Sequence, residues 1–598
     1  MSKLNEREII EWDLTRLYAS LDDETIFEDI KTVLREKDEL VRDYRGRISG
    51  ENISAHELRG LLEKSESLLD RAGKLSMFAY LNHSVLTADS ATQKLVRKMD
   101  DLEAALESGL MFIKLELARV SDDFFSELNE CDELKNYRHY FDLVRALRDH
   151  QLSEPEEDII VRKDITGKMA MLNLFDEFTS TFEYRIFIDG EEKVLTESEV
   201  ENLRSHGDEG IRKKAFESLF RKTEENSVIL TNIYNSLAKD WDLDASKRHF
   251  SSPISMRNIE NEVSDESVEN LIDATTQGYS IVQDYYRLKA RVMNKEILLH
   301  SDIYAPLADS RDIFSWQEAK NMILEVMGNF DSQSGRIISG FFDDEYIHGS
   351  IIPGKRSGAF CYYASPEVHP YVLVNFGGKT SDVLTLAHEL GHGLHGVLSS
   401  KQTHLNYETP LTMAETASIF SEMLMTDFLL DNISGKAEKL SLISKRMEEI
   451  LASTARQNMF TRFEMAAHSI ISREFLSFKE LSDLYFEELK LMFADTIVFF
   501  PESKFEWARI PHIFHTPFYC YAYNFAQLLV ISLYRMYLED GDVFKRRYIR
   551  LLESGSSDSP EILLKSVGID ISEPYFWENG LHFIQENFLE RLRDIIDS

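Results

Sequence analysis

Apolar residues recur every three or four positions through long, otherwise charged stretches in the first part of the chain. The segments Leu58 to Leu81 and Lys94 to Val120 show this spacing most clearly. Such spacing puts apolar side chains on one face of a helix, and no proline interrupts the chain before Pro155. The pattern therefore predicts a mainly α-helical protein.

Strand-like residues are confined to two regions. In the segment from Tyr184 to Leu195, the pair Asp189-Gly190 is typical of a tight hairpin turn. The second region lies around residues 351 to 376. We place a domain boundary after the hairpin, which gives an N-terminal helical domain at 1–200 and a second domain at 201–598. No internal repeat or low-complexity tract indicates a different division.

A strand, a turn and a helix are predicted from residue 371 onward. The run Tyr371 to Phe376 is β-branched and aromatic, and it is closed by Gly377-Gly378. Any of the next polar residues can cap a helix, namely Thr380, Ser381 and Asp382. The helix that follows carries the pentapeptide His388-Glu389-Leu390-Gly391-His392.

This pentapeptide has the spacing of a metal site. One helical turn places His388 and His392 on the same face, where both imidazoles can bind one zinc ion, and Glu389 lies beside them as a proton acceptor. Gly391, Gly393 and Gly396 each cost such a helix up to about 1 kcal/mol relative to alanine. We therefore expect another part of the chain to pack closely against this helix. The alternative is a buried helix whose histidines are satisfied by ordinary hydrogen bonds.

A catalytic zinc needs a third protein ligand. The metzincin pattern is excluded, because His395 and Leu398 stand where that class has glycine and histidine. Glu415 lies among small and apolar residues, where a carboxylate is costly to bury unless it is paired or bound to metal. We rank it above Glu408. We also rank it above His395, since three ligands from one straight helix give poor tetrahedral geometry. Glu422, seven residues further on, can orient a histidine ligand.

The strand Tyr371 to Phe376 also has a possible role in binding. A strand edge near the metal can pair main chain to main chain with an extended peptide, which would favour broad specificity. An ordinary hairpin with Cys361 to Tyr363 fits the same residues.

Charge and cysteine content narrow the class of protein. The formal net charge of -37 argues against a nucleic-acid partner, since binding phosphates requires a basic face. The three cysteines are too few and too scattered for a disulfide framework, which favours a reducing compartment. The first ten residues lack the apolar core of a signal peptide, and no apolar run is long enough for a membrane span. We therefore expect a cytoplasmic protein without membrane contact, of undetermined oligomeric state.

Five segments in order carry a resemblance to a known family: Trp12 to Tyr18, Gly354 to Phe360, His388 to His392, Met413 to Ser418 and Ile510 to Tyr523. With them the chain resembles the oligoendopeptidase F branch of the thimet oligopeptidase (M3) family of zinc metallopeptidases, over nearly its whole length.

The resemblance implies a set of site residues. It implies one Zn²⁺ per chain, bound by His388, His392 and Glu415, with Glu389 as general base. From the aromatic segment it implies that His512, Tyr519 and Tyr523 bind substrate and the developing charge; His515 and Tyr521 stay possible in their place. If the chain is helical from Pro517, Tyr519 and Tyr523 share one face.

The fold and activity implied by the resemblance are those of a helical zincin-type peptidase, with a deep central channel and a small β-sheet beside the zinc helix. The expected reaction is hydrolysis of internal bonds of short peptides, in which zinc-bound water attacks the scissile carbonyl. One alternative is a zinc aminopeptidase, although no Gly-x-Met-Glu-Asn segment is present. The other is a non-catalytic peptide-binding helical scaffold, which would be free to lose Glu389.

Overall fold

The computed structural model describes residues 9–188, 190–308 and 313–598, and these residues are mainly helical, as the apolar spacing predicts. The α-helices up to residue 292 are α1 Glu24–Tyr44, α2 Ala55–Val85, α3 Ser90–Arg119, α4 Asp122–Glu130, α5 Arg138–Ala146, α6 Glu154–Asp164, α7 Lys168–Ser180, α8 Glu197–Leu203, α9 Glu209–Glu225, α10 Ser227–Lys247, α11 Pro253–Glu260, α12 Asp265–Gln277 and α13 Tyr279–Val292. The later α-helices are α14 Trp316–Phe330, α15 Ser332–Asp343, α16 Thr380–Ser399, α17 Leu411–Ala414, α18 Thr416–Asn432, α19 Lys436–Leu451, α20 Gln457–Ile471, α21 Phe478–Phe493, α22 Pro511–His515, α23 Tyr521–Asp540, α24 Asp542–Glu553, α25 Pro560–Ser566, α26 Pro574–Ile584 and α27 Glu590–Asp597.

The strands are short and form three small sheets. They are β1 Tyr184–Ile188, β2 Glu191–Leu195, β3 Leu298–Leu299, β4 Ile347–His348, β5 Phe360–Tyr362, β6 Tyr371–Leu373 and β7 Ile497–Val498. β1 pairs with β2, β3 pairs with β7, and the third sheet has the order β4-β6-β5. Within it β6 runs parallel to β4 and antiparallel to β5.

The chain forms two compact units, each made of three segments. The first unit contains Met1–Arg148, Arg311–Asp431 and Met536–Ile569, and the second contains Asp149–Ser310, Asn432–Arg535 and Asp570–Ser598. Compactness and function are different criteria for dividing a chain, so these units do not test the predicted domain boundary. The predicted start of the catalytic part at residue 201 stays a prediction.

Helices α1, α2 and α3 pack together in the first unit around one apolar core. Helix α2 begins with a capping box, in which Ser54 and Glu57 each accept a hydrogen bond from the backbone N–H of the other. Its buried leucines recur at helical spacing: Leu58, Leu61, Leu62, Leu68 and Leu75. Each fully buried leucine stabilises the fold by about 1.5–3 kcal/mol.

The predicted hairpin is present in the second unit. β1 and β2 pair so that Ile188 lies opposite Glu191, which leaves a two-residue turn. Gly190 has φ +86°, a conformation that favours glycine, while Asp189 lies outside the described residues. The buried face of β1 packs against α9 through Phe216 and Phe220.

The helix with the pentapeptide lies beside the three-stranded sheet, as expected for the fold. It is α16, which begins at Thr380, and Asp382 accepts hydrogen bonds from the backbone N–H groups of Gly377 and Lys379 just before it. The predicted strand Tyr371 to Phe376 is shorter, at Tyr371–Leu373, and it lies in the middle of the sheet. The expectation that its edge receives a peptide is therefore wrong, because both of its edges are already paired; the alternative hairpin with Cys361 is confirmed.

Two further features bear on the sequence analysis. Among the described residues, no helix combines the length and the continuous apolar character needed to cross a bilayer. Cys131, Cys361 and Cys520 are free thiols. Residues 1–8, which include most of the segment assessed for a signal peptide, lie outside the described residues.

The glycines of α16 allow close packing, as the sequence predicts. A Cβ atom at Gly391 would lie 2.6 Å from the carbonyl oxygen of Ala417 and 2.6 Å from the Cα of Ser418, so α16 and α18 touch through their backbones. At Gly393 a Cβ would meet the ring of Phe341, and at Gly396 it would lie 3.2 Å from the ring of Tyr363. The glycines therefore set how closely α18 and the sheet approach α16.

Replacing Gly391 by alanine should destabilise the protein. The added methyl group has no space, and overpacking of this kind costs about 1–3 kcal/mol. Thermal unfolding should show a lower Tm for Gly391→Ala. The matched control is Gly60→Ala in α2, where nothing lies within 4 Å of a built Cβ, and where alanine should be neutral or stabilising by up to about 1 kcal/mol. Equal Tm values for the two variants would contradict the backbone contact.

Candidate metal centre

Three predicted metal ligands come together in the first unit. One ligand atom each from His388, His392 and Glu415 lies within 4.8 Å of the others. Oε2 of Glu415 is 3.3 Å from Nε2 of His388 and 3.4 Å from Nε2 of His392. Both imidazoles therefore point their Nε2 atoms at the same carboxylate oxygen. Two nitrogens and one oxygen in this arrangement fit the donor set of a catalytic zinc site.

Glu415 owes its position to a break between two helices. The short helix α17 ends at Ala414, α18 begins at Thr416, and Glu415 stands between them with φ -86° and ψ 2°. The Ser418 hydroxyl donates to Oε2 of Glu415 over 2.6 Å, which fixes the carboxylate. The start of α18 is held in turn by Tyr548, whose hydroxyl donates to the carbonyl oxygen of Thr416.

Glu422 contacts the other side of the first histidine. Its Oε2 lies 3.4 Å from Nδ1 of His388. A histidine that donates Nδ1–H to a carboxylate keeps Nε2 free for a metal and has its ring orientation fixed. The structure thus brings Glu422 to the place that its spacing from Glu415 suggested.

The charges of the cluster shift the pKa values of its members. Burial disfavours the charged form of His388, but the neighbouring carboxylates Glu415 and Glu422 outweigh burial and raise its pKa to about 10. Burial likewise opposes the charge on Glu415, yet His388 and His392 hold the pKa of its carboxyl well below the usual range.

Glu389 faces the sheet side of α16 and is buried, with 7% of its surface exposed. Burial raises the pKa of its carboxyl, while the two imidazoles act in the opposite direction. The backbone amide of Cys361 in β5 lies near enough to lower this pKa as well, and burial raises the pKa of the Cys361 thiol. Glu389 thus lies between the histidine pair and strand β5.

The competing ligand candidates are not brought to the cluster. His395 is buried, its Nδ1 has no hydrogen-bond partner among the described residues, and burial lowers its pKa to about 3. Glu408 is exposed. Within the described part of the chain, the one group of histidine, cysteine or carboxylate residues close enough to hold a metal comprises His388, His392 and Glu415.

The aromatic candidates form a separate cluster in the second unit. Nε2 of His512 is 3.3 Å from the Tyr523 hydroxyl, and the His512 and Tyr519 rings stack with centroids 5.8 Å apart. The Tyr519 and Tyr523 rings meet edge to face at 5.2 Å. Burial and the charge of His515 lower the pKa of His512, so its imidazole is neutral near pH 7. The structure groups the three residues, and their role in binding substrate stays a prediction.

Tyr521 and His515, the alternatives to these residues, form hydrogen bonds with other parts of the chain. Tyr521 is fully buried, and its hydroxyl accepts a hydrogen bond from Asn261. His515 uses Nδ1 toward the Pro511 carbonyl oxygen and Nε2 toward Asp176. The rings of Tyr519 and Tyr523 meet and Tyr521 points elsewhere, as the sequence suggested, but the chain is not helical from Pro517, because helix α23 begins only at Tyr521. The cause is Phe518, whose φ of 59° lies outside the helical region.

Sequence reasoning overlooked two contributors to the site. Ser418 lies three residues after Glu415, a spacing at which a hydroxyl can reach back to a preceding carboxylate, and this signal was available. The approach of the Cys361 backbone to Glu389 depends on strand pairing across distant parts of the chain, which leaves no local signal.

Two family models match parts of the chain. The family model described as Peptidase family M3 matches residues 330–583, which contain all three candidate ligands, and the model described as Oligopeptidase F matches residues 116–184. The chain is 25% identical to Oligopeptidase PepF of Bacillus subtilis over 559 residues, covering 92% of this chain and 82% of that protein. It is 27% identical to an oligoendopeptidase F homolog of Borreliella burgdorferi over 602 residues, covering 97% and 98%.

Solved structures show the same fold. A structure from Chlamydophila abortus aligns with a TM-score of 0.87 at 23% identity, covering 98% of both chains. Oligoendopeptidase-F from Enterococcus faecium aligns with a TM-score of 0.71 at 21% identity, covering 96% of this chain and 98% of that one. Sequence and fold agree along almost the entire length. The chain therefore belongs to peptidase family M3, in its oligoendopeptidase F branch, a family of metallopeptidases that act on oligopeptides.

Proposed function

We propose that this protein is a zinc-dependent endopeptidase that hydrolyses internal bonds of short peptides. The convergence of ligand atoms from His388, His392 and Glu415 within 4.8 Å carries the proposal. Membership of the oligoendopeptidase F branch supports it. The set of two imidazoles and one carboxylate, with Glu389 adjacent in sequence, is the one that zinc peptidases use.

Bound at these three residues, a zinc ion would act as a Lewis acid toward the scissile carbonyl and lower the pKa of water toward neutrality. The protein's own groups do the rest. Nε2 of His388 and His392 and Oε2 of Glu415 would hold the cation, and Glu422 would keep the His388 ring in the required orientation by accepting Nδ1–H.

Glu389 is the proton carrier in this proposal. Its carboxylate accepts a proton from the attacking water and passes it to the nitrogen of the leaving amine. Burial raises its pKa toward the working range of a general base, and a base is most effective when its pKa lies near the ambient pH. One carboxylate thus serves both proton transfers.

Strand β5 is the best candidate for holding the peptide. It pairs with β6 along one edge, and no other described strand pairs with its second edge. A peptide added there would form main-chain hydrogen bonds close to Glu389, which lies beside Cys361. His512, Tyr519 and Tyr523 are assigned to the developing charge by resemblance to the family.

Several further assignments rest on sequence alone. The absence of a nucleic-acid partner follows from the charge of -37. A cytoplasmic location follows from the scarcity of cysteine. The restriction to short peptides follows from the family, whose named relatives are oligopeptidases.

The first experiment tests Glu389 as the general base. Glu389→Gln should keep zinc and native circular dichroism but lose about 10²- to 10⁴-fold in kcat, the contribution of a positioned general base. Metal analysis and hydrolysis of a quenched fluorescent peptide give both readouts. Glu325→Gln, a change at an exposed glutamate of the same unit, should retain full activity. An unchanged kcat in Glu389→Gln would remove Glu389 from the mechanism.

The contact of Glu422 with His388 makes a separate prediction. Glu422→Gln removes the charged acceptor of the Nδ1–H bond and should weaken zinc affinity by about 10- to 100-fold. Competition with a chromogenic chelator measures this affinity. Glu325→Gln again serves as the control, and equal zinc affinity in both variants would show that Glu422 has no role in holding the ring.

End-group blocking separates an endopeptidase from an aminopeptidase. N-acetylated, C-amidated peptides of eight to ten residues should be cleaved at internal bonds, as seen by mass spectrometry of the products, and a chelator should stop the reaction. An aminopeptidase would leave these peptides intact and release single residues from their unblocked forms.

A further inference from the structure

A large apolar cavity lies in the first unit, away from the metal ligands themselves. Its volume is about 570 Å³, and α2 and α3 supply most of its walls. Apolar side chains dominate this surface, among them Leu62, Leu69, Leu106, Leu110 and Ile113. A cavity of this size and character accommodates at least one large aliphatic or aromatic side chain.

The remaining wall of the cavity continues from strand β5. Tyr362 and Tyr363 both line the cavity. The Tyr363 ring also packs against α16 at Gly396, one helical turn beyond His392. Cys361, two residues earlier, is the residue whose backbone approaches Glu389. A strand advances about 3.3 Å per residue, so a peptide paired along β5 reaches this cavity about one to two residues from the bond next to Glu389.

The mouth of the cavity is acidic. Glu103 and Glu107 lie four residues apart on α3, and Glu408 joins them, whereas Lys114 is the one basic residue of the lining. Among the residues that the structure describes, none of these three carboxylates takes part in an ion pair. Two like charges at this spacing repel each other on a helix. A positive group next to the cavity would relieve this repulsion.

We propose that this cavity is a substrate subsite that takes a large apolar side chain of the peptide, one to two residues from the scissile bond, with a lysine or arginine next to it. The apolar walls bury the first side chain, and Glu103, Glu107 and Glu408 attract the second. This subsite rests on the proposed endopeptidase function and names its preferred substrates: peptides with an apolar–basic pair at a fixed distance from the cleaved bond.

The other large cavity of the first unit does not have this character. Its volume is about 770 Å³, and charges of both signs line it. Its arginines already have acidic partners, for example Arg16 with Asp344 and Arg71 with Glu36. In the apolar cavity beside β5, by contrast, Glu103, Glu107 and Glu408 form no ion pair among the described residues.

The test uses blocked peptides in which leucine or glycine is placed at each position from three before to three after the cleaved bond. Wild-type protein should prefer leucine over glycine at one position by roughly 10- to 100-fold in kcat/KM, the range for burying a side chain in an apolar pocket. Leu110→Trp fills the cavity and should reduce this ratio to near one. Leu115→Trp, on the same helix and outside the cavity, should keep the wild-type ratio.

The charge of the mouth is tested in the same series. For the wild-type protein, the peptide with lysine next to the leucine should have a kcat/KM roughly threefold or more above that of the peptide with glutamine there. This advantage should shrink in 0.5 M salt, since salt screens exposed charges. The double variant Glu103→Gln/Glu107→Gln should lose the advantage. Asp100→Asn/Asp101→Asn, at exposed positions of the same helix, should retain it.

Failure of the subsite differs from failure of the proposed function. A positional preference that is the same in Leu110→Trp and Leu115→Trp, or no preference at any position, would overturn the subsite while peptides are still cleaved. If no peptide is cleaved with zinc present, the endopeptidase proposal fails. Titration calorimetry of the leucine–lysine peptide into Glu389→Gln protein, with and without Leu110→Trp, then still decides whether the cavity binds it.

Discussion

The metal centre depends on the contact between two helices at Gly391. Because a glycine stands there, the backbone of α18 approaches α16 to a distance that any side chain would prevent. The break before α18 then carries Glu415 to the histidine pair. Nothing in the pentapeptide itself attracts a third ligand. The geometry of the cluster is thus a property of helix packing, and the pentapeptide contributes two of its three ligands.

Charge balance is the second constraint on this cluster. Glu415 and Glu422 both lie against His388, and their negative charges raise the pKa of its imidazole, so that protons compete with a metal for this histidine. A metal has to displace such a proton, so its affinity falls as the pH falls. The carboxylates therefore favour a doubly charged cation over a single proton whenever the pH allows the exchange.

Sequence reasoning succeeded where the relevant contacts are local. The helical class, the hairpin at residues 184–195 and the close packing at Gly391 follow from periodicity, turn residues and glycine placement. Glu415 lies beside both histidines, as expected from a carboxylate placed among small apolar residues, which is rarely free of a partner. In each case a few neighbouring residues carry the physical cause.

The expectations that failed depend on contacts between distant segments or on single dihedral angles. The central position of β6 depends on β4, which is far from it in sequence, so no local pattern reveals it. The late start of α23 depends on the backbone of Phe518, a residue type that gives no warning of a positive φ. Cavities between helices, such as the one between α2 and α3, depend on the full packing and have no motif.

The groups proposed for bond cleavage and the walls of the apolar cavity belong to different helices. His388, Glu389, His392 and Glu415 lie on or beside α16 and α18, whereas α2 and α3 shape the cavity. Substitutions confined to α2 and α3 therefore reshape the proposed subsite without replacing any group proposed for cleavage. The peptide preference of the enzyme can therefore evolve through substitutions on these two helices, without an inactive intermediate.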